Sequence, residues 1–434
     1  MTNKKKYDVV ISGYGPLGQI CALTLSHFKI SSAVIERKKE ISLKPRATTI
    51  DSESLRFLYT LDIFKKITEI FNIPEFLDYV LPNGKIVQRS IIADTADGYP
   101  NLVTFHQPDL EKKLREKVQK SKYVDLYDEH EFISSKESNE KIDVKCKNLI
   151  TNKLIEISSR FVLACDGINS PIRKKLKIQN ENLKYNKEWL IIDIENIKDH
   201  NEITVKQICD PVRPSSSADL SNTKSRWEFQ LLPGESKEKM LKDESIMKLM
   251  DNHLDRASYK IIRKDIYNFR AEFAKEWKKE QVILLGGSAY QFPPYGYQSL
   301  NAEIKDINNL CWKIYFVLMG ISSKEILDSY QVERSSIVKG TISSSIAMGQ
   351  LIDSIAISIK NNIPLEESIP PEARTQAYGK LTKKSRKEID LEIFARSEID
   401  NSFPKRLASS YIKYEKDCIL LDELINFKFI LFVH

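Results

Sequence analysis

No run of about 18 uncharged apolar residues occurs in this 434-residue chain, so no membrane-spanning segment is expected. The six cysteines (Cys21, Cys146, Cys165, Cys209, Cys311 and Cys418) show no CxxC spacing and sit mostly in apolar runs. That pattern argues against a disulfide framework and for buried free thiols in a reducing cytoplasm. The six histidines are scattered, which leaves no zinc-ligand spacing and no expected metal. No Lys/Arg stripe is interleaved with aromatics, so nucleic acid is not an expected partner. No signal peptide is expected either, because Tyr7 leads straight into a glycine-turn strand. Internal repeats are missing. Glycine is scarce at 14 residues in the chain, against roughly 7% in average proteins.

The bulk composition is that of an ordinary soluble protein, 41% hydrophobic and 29% charged. The length is enough for a large core and for two or three domains. A net charge of +7 is spread over 67 basic and 60 acidic residues. It either helps to attract anionic ligands or simply reflects a Lys-rich solvated surface. Lys4-Lys5-Lys6 reads as a solvated tail.

Residues 7–40 carry the densest signal. The apolar run Val9-Val10-Ile11 leads into Gly13-Tyr14-Gly15-Pro16-Leu17-Gly18, then a helix-like segment, then Ala33-Val34-Ile35 ending at Glu36-Arg37. Strand, glycine turn, helix, strand and terminal acid make up a dinucleotide-binding unit. Gly13 allows the tight turn, Gly15 lets the backbone approach a pyrophosphate, and Gly18 lets helix and strand pack closely. The phosphates are expected at the helix N-terminus, where unpaired N–H groups and the helix dipole favour anions. Glu36, 18 residues beyond Gly18, is placed to accept hydrogen bonds from a ribose diol. The plainer alternative is a coincidental βαβ unit.

Further along, short strands are expected over about 76–105, with a turn at Pro82-Asn83-Gly84. Gln107 opens a helix with Leu110, Leu114 and Val118 on one face. Strands follow at 142–147 and 154–158, and Phe161-Val162-Leu163-Ala164-Cys165 is a buried strand ending at Asp166-Gly167. A β-rich region of about 185–275 includes strands from Trp189 to Ile194 and from Arg226 to Leu232. Val282-Ile283-Leu284-Leu285 then runs into Gly286-Gly287 and a Pro/Gly loop, ahead of a helix with Ile304, Ile307, Leu310 and Cys311 on one face.

These separated pieces resemble the class A FAD-dependent aromatic hydroxylases, the para-hydroxybenzoate hydroxylase fold, and most of all their 3-(3-hydroxyphenyl)propionate hydroxylase branch. The resemblance covers about residues 7–345. Beside the glycine fingerprint, Pro45-Arg46-Ala47 matches the place of an arginine near the flavin pyrophosphate. Gln107 matches a residue that contacts FAD. Residues 165–173 (Cys165-Asp166-Gly167 through Ser170 and Arg173) follow a CDGxxSxxR signature that serves the FAD phosphates and the passing nicotinamide. Cys209 to Pro214 and Glu228 to Glu235 resemble substrate-domain strands, and Leu327 to Arg334 a helix near the end of the hydroxylase part. Taken singly, Arg46 reads as a surface charge and Asp166-Gly167 as an ordinary turn. Trp227 and Phe229, two apart on a strand, either line a pocket or pack the core.

The resemblance implies an α/β fold: a Rossmann-like FAD-binding domain in two parts, 1–180 and 276–360 with helices, around an inserted β-rich substrate domain at 181–275. Residues 361–434 then read as a linker and the opening of a thioredoxin-like domain. It also implies an FAD-dependent monooxygenase that is reduced by NADPH or NADH and hydroxylates a phenolic or other aromatic small molecule with O2 through a flavin C4a-hydroperoxide. The expected setting is cytoplasmic, without membrane or nucleic acid, and leaves room for a homodimer. Gly13, Gly15, Pro16, Leu17, Gly18, Glu36, Arg37, Arg46, Gln107, Asp166, Gly286, Gly287, Ser299, Leu300 and Asn301 are the expected FAD contacts. Tyr290, Pro293 and Tyr297 are the catalytic candidates, and Trp227 and Phe229 the substrate contacts.

Two departures favour a second reading. The family's Gly-Asp-Ala-Ala-His is here Gly286-Gly287-Ser288-Ala289-Tyr290. The lost carboxylate forfeits a charge-assisted hydrogen bond of roughly 1.5–3 kcal/mol, about one to two decades in affinity. Ser299 stands where glycine is usual, and Glu303 where a small residue is usual; an acid facing the flavin there would oppose negative charge on the reduced ring. With the scarce glycine and the incomplete thioredoxin-like stretch, these changes suit a non-catalytic or weakly flavin-binding descendant acting as a binding or partner protein. Other flavin chemistry on the same fold is the remaining alternative.

Overall fold

Apolar runs without a polar break become strands buried on both faces, and they form the spine of the molecule. The structure, a computed structural model, describes residues 4–42, 46–62, 70–92, 99–138, 140–197, 203–361, 363, 411–414 and 417–420. In chain order, β1 (Val9–Ser12), α1 (Pro16–His27), β2 (Ser32–Ile35), α2 (Gln107–Val118), β3 (Val124–Tyr127) and β4 (Phe161–Ala164) come first. Then follow β5 (Asn180–Asn196), β6 (Ser215–Ser221), β7 (Lys224–Gln230), β8 (Tyr259–Ala274), β9 (Val282–Leu284), α3 (Ser299–Leu318) and α4 (Ser329–Asn361).

The first sheet runs β9-β4-β1-β2-β3, all parallel, with Lys278–Lys279 as an antiparallel edge. Every residue of β1, β2 and β4 is buried, as a parallel sheet covered on both faces requires. The chain leaves β1 toward β2 on one side and returns by β4 on the other. That reversal opens a crevice at the carboxyl ends of β1 and β4, where ligands of open α/β sheets bind. α3 packs its Ile304, Ile307, Leu310 and Cys311 face into the core, each at most 1% exposed, in contact with α1.

The second sheet has eight strands, in the order Tyr290–Gln291, β8, β5, β7, β6, Val205–Ile208, Phe76–Val80 and Ile86–Ile91. Its last two strands correct the expected division at residue 180. They come from the first part of the chain, and Leu77 pairs in parallel with Val205. Inside this sheet the buried Asp193 of β5 accepts hydrogen bonds from Arg226 Nε of β7 (2.7 Å) and Arg263 Nε of β8 (2.8 Å). Arg226 Nη1 also donates to the carbonyl of Arg46 at 2.6 Å, tying the sheet to the loop ahead of Thr49–Asp51. A third, four-stranded sheet pairs Lys5–Lys6, Leu154–Ser159, Lys141–Asn148 and His130–Ser138.

Cys21, Cys146, Cys165, Cys209 and Cys311 are buried free thiols. No described helix is long and apolar enough to cross a membrane. Apart from a hairpin of Tyr411–Tyr414 and Asp417–Leu420, the expected thioredoxin-like stretch lies outside the described residues, as does Pro45.

Candidate functional site

The glycine turn is built by close approach. Gly13 has φ +104°, donates its N–H to the Ile35 carbonyl at 2.8 Å, and would bring a Cβ to 2.3 Å from the Cys165 carbonyl oxygen. A Cβ on Gly18 would fall 2.0 Å from the Gly13 carbonyl oxygen. Gly15 is different: a Cβ there meets no atom within 4 Å. Gly15 also caps α1 without any side-chain hydrogen bond, and Pro16 follows at the first turn. The first amides of α1 are thus left for an anion. Glu36, at the end of β2, spends its carboxylate on the loop: Oε2 accepts from Tyr14 N at 2.8 Å and Oε1 from Lys38 N at 2.9 Å. Arg37 faces outward and pairs with Glu131 at 3.4 Å.

One cavity runs between the two large sheets. Pro16, Arg46, Gln107, Gly167, Gly287, Ser299, Leu300 and Glu303 line it from the glycine-turn layer. Ile191, Glu228, Tyr267, Asn268 and Phe269 line it from the antiparallel sheet, and Pro293 and Tyr297 from the connecting loop. Gln107 fixes the Arg46–Thr48 loop by accepting from Ala47 N (2.8 Å) while donating to Glu111 (2.7 Å). Asp166 Oδ2 accepts from Ile172 N at 3.2 Å, and its enclosed Oδ1 has no hydrogen-bond partner. Burial raises that carboxyl above its ordinary range. Arg173 braces the same corner, donating to the carbonyls of Ser288 (2.6 Å) and Ile168 (2.8 Å).

Gly286 and Gly287 form a short 3-10 turn held by two acids of α3. Gly286 N donates to Asp306 Oδ2 (3.2 Å) and Gly287 N to Glu303 Oε1 (3.1 Å). Asp306 is itself paired with Arg334 Nε at 2.8 Å.

Several expected site residues have other employment. Tyr290 borders the cavity, but its hydroxyl donates to Asp306 Oδ2 at 2.6 Å. Burial and the Asp306 charge push that phenol well up, which makes it an anchor for the turn rather than a proton donor to the cavity. Asn301 is fully buried and acts as a clamp, accepting from Asp51 N (2.9 Å) and donating to the Tyr297 carbonyl (3.2 Å).

Trp227 and Phe229 are the clearest correction. They point to the far face of the sheet, stacked at 6.2 Å, and pack with His253, Met240, Ile246 and Met250. Strand alternation then puts Glu228, between them, on the cavity face. Glu228 is buried, and its Oε2 accepts from Ser216 Oγ at 3.3 Å. Burial pushes its carboxyl up, with Arg226 opposing. Tyr297, also at the cavity, has φ +54°, a strained conformation of the kind found at ligand sites.

The family described as "FAD binding domain" matches residues 6–345. The 3-(3-hydroxy-phenyl)propionate/3-hydroxycinnamic acid hydroxylase of Escherichia coli O81 (strain ED1a) is 27% identical over 349 residues, 80% of this chain and 62% of that protein. The chain thus spans about 62% of the length of the curated relatives it matches. Among solved structures, p-nitrophenol 4-monooxygenase from Pseudomonas putida superposes with a TM-score of 0.77 at 18% identity, over 88% of this chain and 98% of that one. Aklavinone-11 hydroxylase, in its ternary complex with FAD and aklavinone, gives 0.71 at 18%, over 80% of this chain and 69% of that one. These likenesses show the fold. With 340 consecutive residues inside the matched range, the chain belongs to the FAD binding domain family.

Proposed function

We propose that the protein is an FAD-dependent hydroxylase that uses NADPH or NADH and O2 to hydroxylate a small phenolic substrate in the cytoplasm. The observation that carries this reading is a cavity lined from both the glycine-turn layer and the antiparallel sheet, so that cofactor and substrate would share one site. The residues fit the cofactor: open amides at the start of α1, an open side at Gly15, and the orphaned Asp166 Oδ1 beside the cavity-lining Gly167. Gly13 to Gly18, Arg46, Gln107 and Asp166 would hold it, with Ser299 and Leu300 at the cavity wall. When bound and reduced, FAD supplies the activation of O2.

The protein's own work is binding, orientation and proton handling. Ile191, Tyr267 and Phe269 give an aromatic ring an apolar wall. Glu228 is the acid on that wall, placed to accept the proton of a ring hydroxyl; the O–H bond breaks and the proton moves to a carboxylate oxygen. The electron-rich ring that results is the better partner for an electrophilic oxygen. Ser216 orients Glu228, and Pro293, Pro294 and Tyr297 of the connecting loop line the same cavity. The relatives' names supply the substrate class to try first. The purified protein with FAD should show a flavin band. NADPH or NADH should bleach it, faster with 3-(3-hydroxyphenyl)propionate present, and hydroxylated product should form. Failure to hold FAD at tens of micromolar, or bleaching without any hydroxylated phenol from a panel, would refute the reading.

A further inference from the structure

Glu303 is an acid in the wrong place for an anion-binding groove. It projects from α3 into the cavity that Pro16 and Gly287 also line, and Oε1 accepts from Gly287 N at 3.1 Å. The glycine pair makes room for it: a Cβ on Gly286 would lie 2.6 Å from Glu303 Cγ and 2.7 Å from Leu17 Cδ2 of α1. Asp306, three residues on, holds the neighbouring amide but has Arg334 beside it. Glu303 has no ion pair among the described residues.

We propose that Glu303 occupies the anion position of the groove itself, and that FAD binds to the form of the protein in which Glu303 is protonated. The inference rests on the FAD reading above and deepens it: Glu303 sets the affinity of the site and makes cofactor binding take up a proton. The pyrophosphate of FAD at the open amides of α1 and a carboxylate on the Gly287 amide would be like charges lining one groove, and they would repel. The charged and titratable groups that face Glu303 are Asp306 on α3, Arg46 from the loop and Tyr290 after the turn, with Arg334 of α4 held on Asp306. Burial and Asp306 favour the neutral acid, while Arg46 and the Gly287 amide favour the anion. Arg334 and Tyr290 are already committed to Asp306. The balance pushes the Glu303 carboxyl up to about 7.

The test is FAD affinity, by quenching of flavin fluorescence, from about pH 6 to pH 8.5 for the wild type, Glu303→Gln and Glu303→Ala. Wild-type affinity should be flat below pH 7 and fall toward tenfold per pH unit above it. Since the competent fraction at pH 8 is about one in eleven, Glu303→Gln should bind about tenfold tighter there and about twofold tighter at pH 7. Calorimetry in two buffers of different ionisation heat should show uptake of nearly one proton per FAD at pH 8 in the wild type and none in Glu303→Gln. Glu303→Ala gives the same flat profile if glutamine disturbs the turn. Equal pH slopes in wild type and variants, or weaker binding by both variants, would overturn the inference while leaving FAD binding intact. No FAD binding by any of the three at pH 6 would overturn the cofactor reading, and this inference with it.

Discussion

Alanine at Gly18 and alanine at Gly15 should separate folding from cofactor binding within one turn. At Gly18 the new Cβ lies 2.0 Å from the Gly13 carbonyl oxygen and 3.0 Å from its carbon. Both are backbone atoms. Gly13 cannot yield, because its own Cβ position already abuts Cys165 and its N–H is fixed on Ile35. α1 would have to lift from β1. Overpacking of this kind costs about 1–3 kcal/mol, occasionally more, and a backbone clash at 2.0 Å belongs at the upper end. Gly15 has φ −70° and ψ −175°, open to any residue. The gain of about 0.4–1 kcal/mol from a stiffer unfolded chain is offset by alanine's poor fit at a helix N-cap. Net stability should change by no more than about 0.5 kcal/mol. FAD affinity of Gly15→Ala should nevertheless fall more than about tenfold, because the methyl stands where the pyrophosphate must approach. Thermal unfolding without FAD and FAD titration at fixed pH read the two effects. A wild-type melting temperature for Gly18→Ala, or wild-type FAD affinity for Gly15→Ala, would refute the reasoning.

Three further outcomes are expected. Gly287→Asp alone should raise FAD affinity less than Gly287→Asp combined with Glu303→Ala, because the new acid enters beside Glu303 at a position where a Cβ already meets Ile168 N at 3.2 Å; equal gains in FAD titration would contradict this. Asp193→Asn removes the charge between Arg226 and Arg263 and should cost about 3–5 kcal/mol in denaturant unfolding. Although burial opposes it, the two guanidinium groups hold Asp193 below the usual carboxylate range. Its contribution is therefore present above the unfolded pKa near 3.9 and lost as pH falls through the folded value. An acid limb unchanged by the substitution would exclude that role. Glu228→Gln should leave the melting temperature and FAD affinity near wild type while lowering the hydroxylation rate by about 100-fold, within the usual range for a lost general base. Because burial raises this carboxyl, the wild-type rate should rise through a pKa above the ordinary glutamate value, and the variant should lack that limb.

The parts legible in the sequence are those set by local pattern. Val9-Val10-Ile11, the glycines after it and the acid closing β2 define a unit whose geometry needs no distant partner. The face of α3 carrying Ile304, Ile307 and Leu310 is likewise written in its period. What escaped is nonlocal. The alternation at Trp227, Glu228 and Phe229 fixes that the acid and the aromatics part company, but the side on which α-helical cover lies is decided by Met240, Ile246 and Met250. The pairing of Leu77 with Val205 joins strands over 120 residues apart. Tyr290 reads as a free phenol until Asp306, on a later helix and itself held by Arg334, is seen to claim it.

Arg226 carries a consequence beyond stability. Its guanidinium holds Asp193 with one edge and the Arg46 carbonyl with another, while Glu228 sits two residues along the same strand face. The loop that brings Arg46 to the cavity and the strand that brings Glu228 to it are thus joined through one side chain. A ligand that tilted β7 would therefore pull on the Arg46 loop, and a ligand that seated that loop would bear on the strand of Glu228. Any advantage one ligand gained from the other through this side chain would be returned in equal measure.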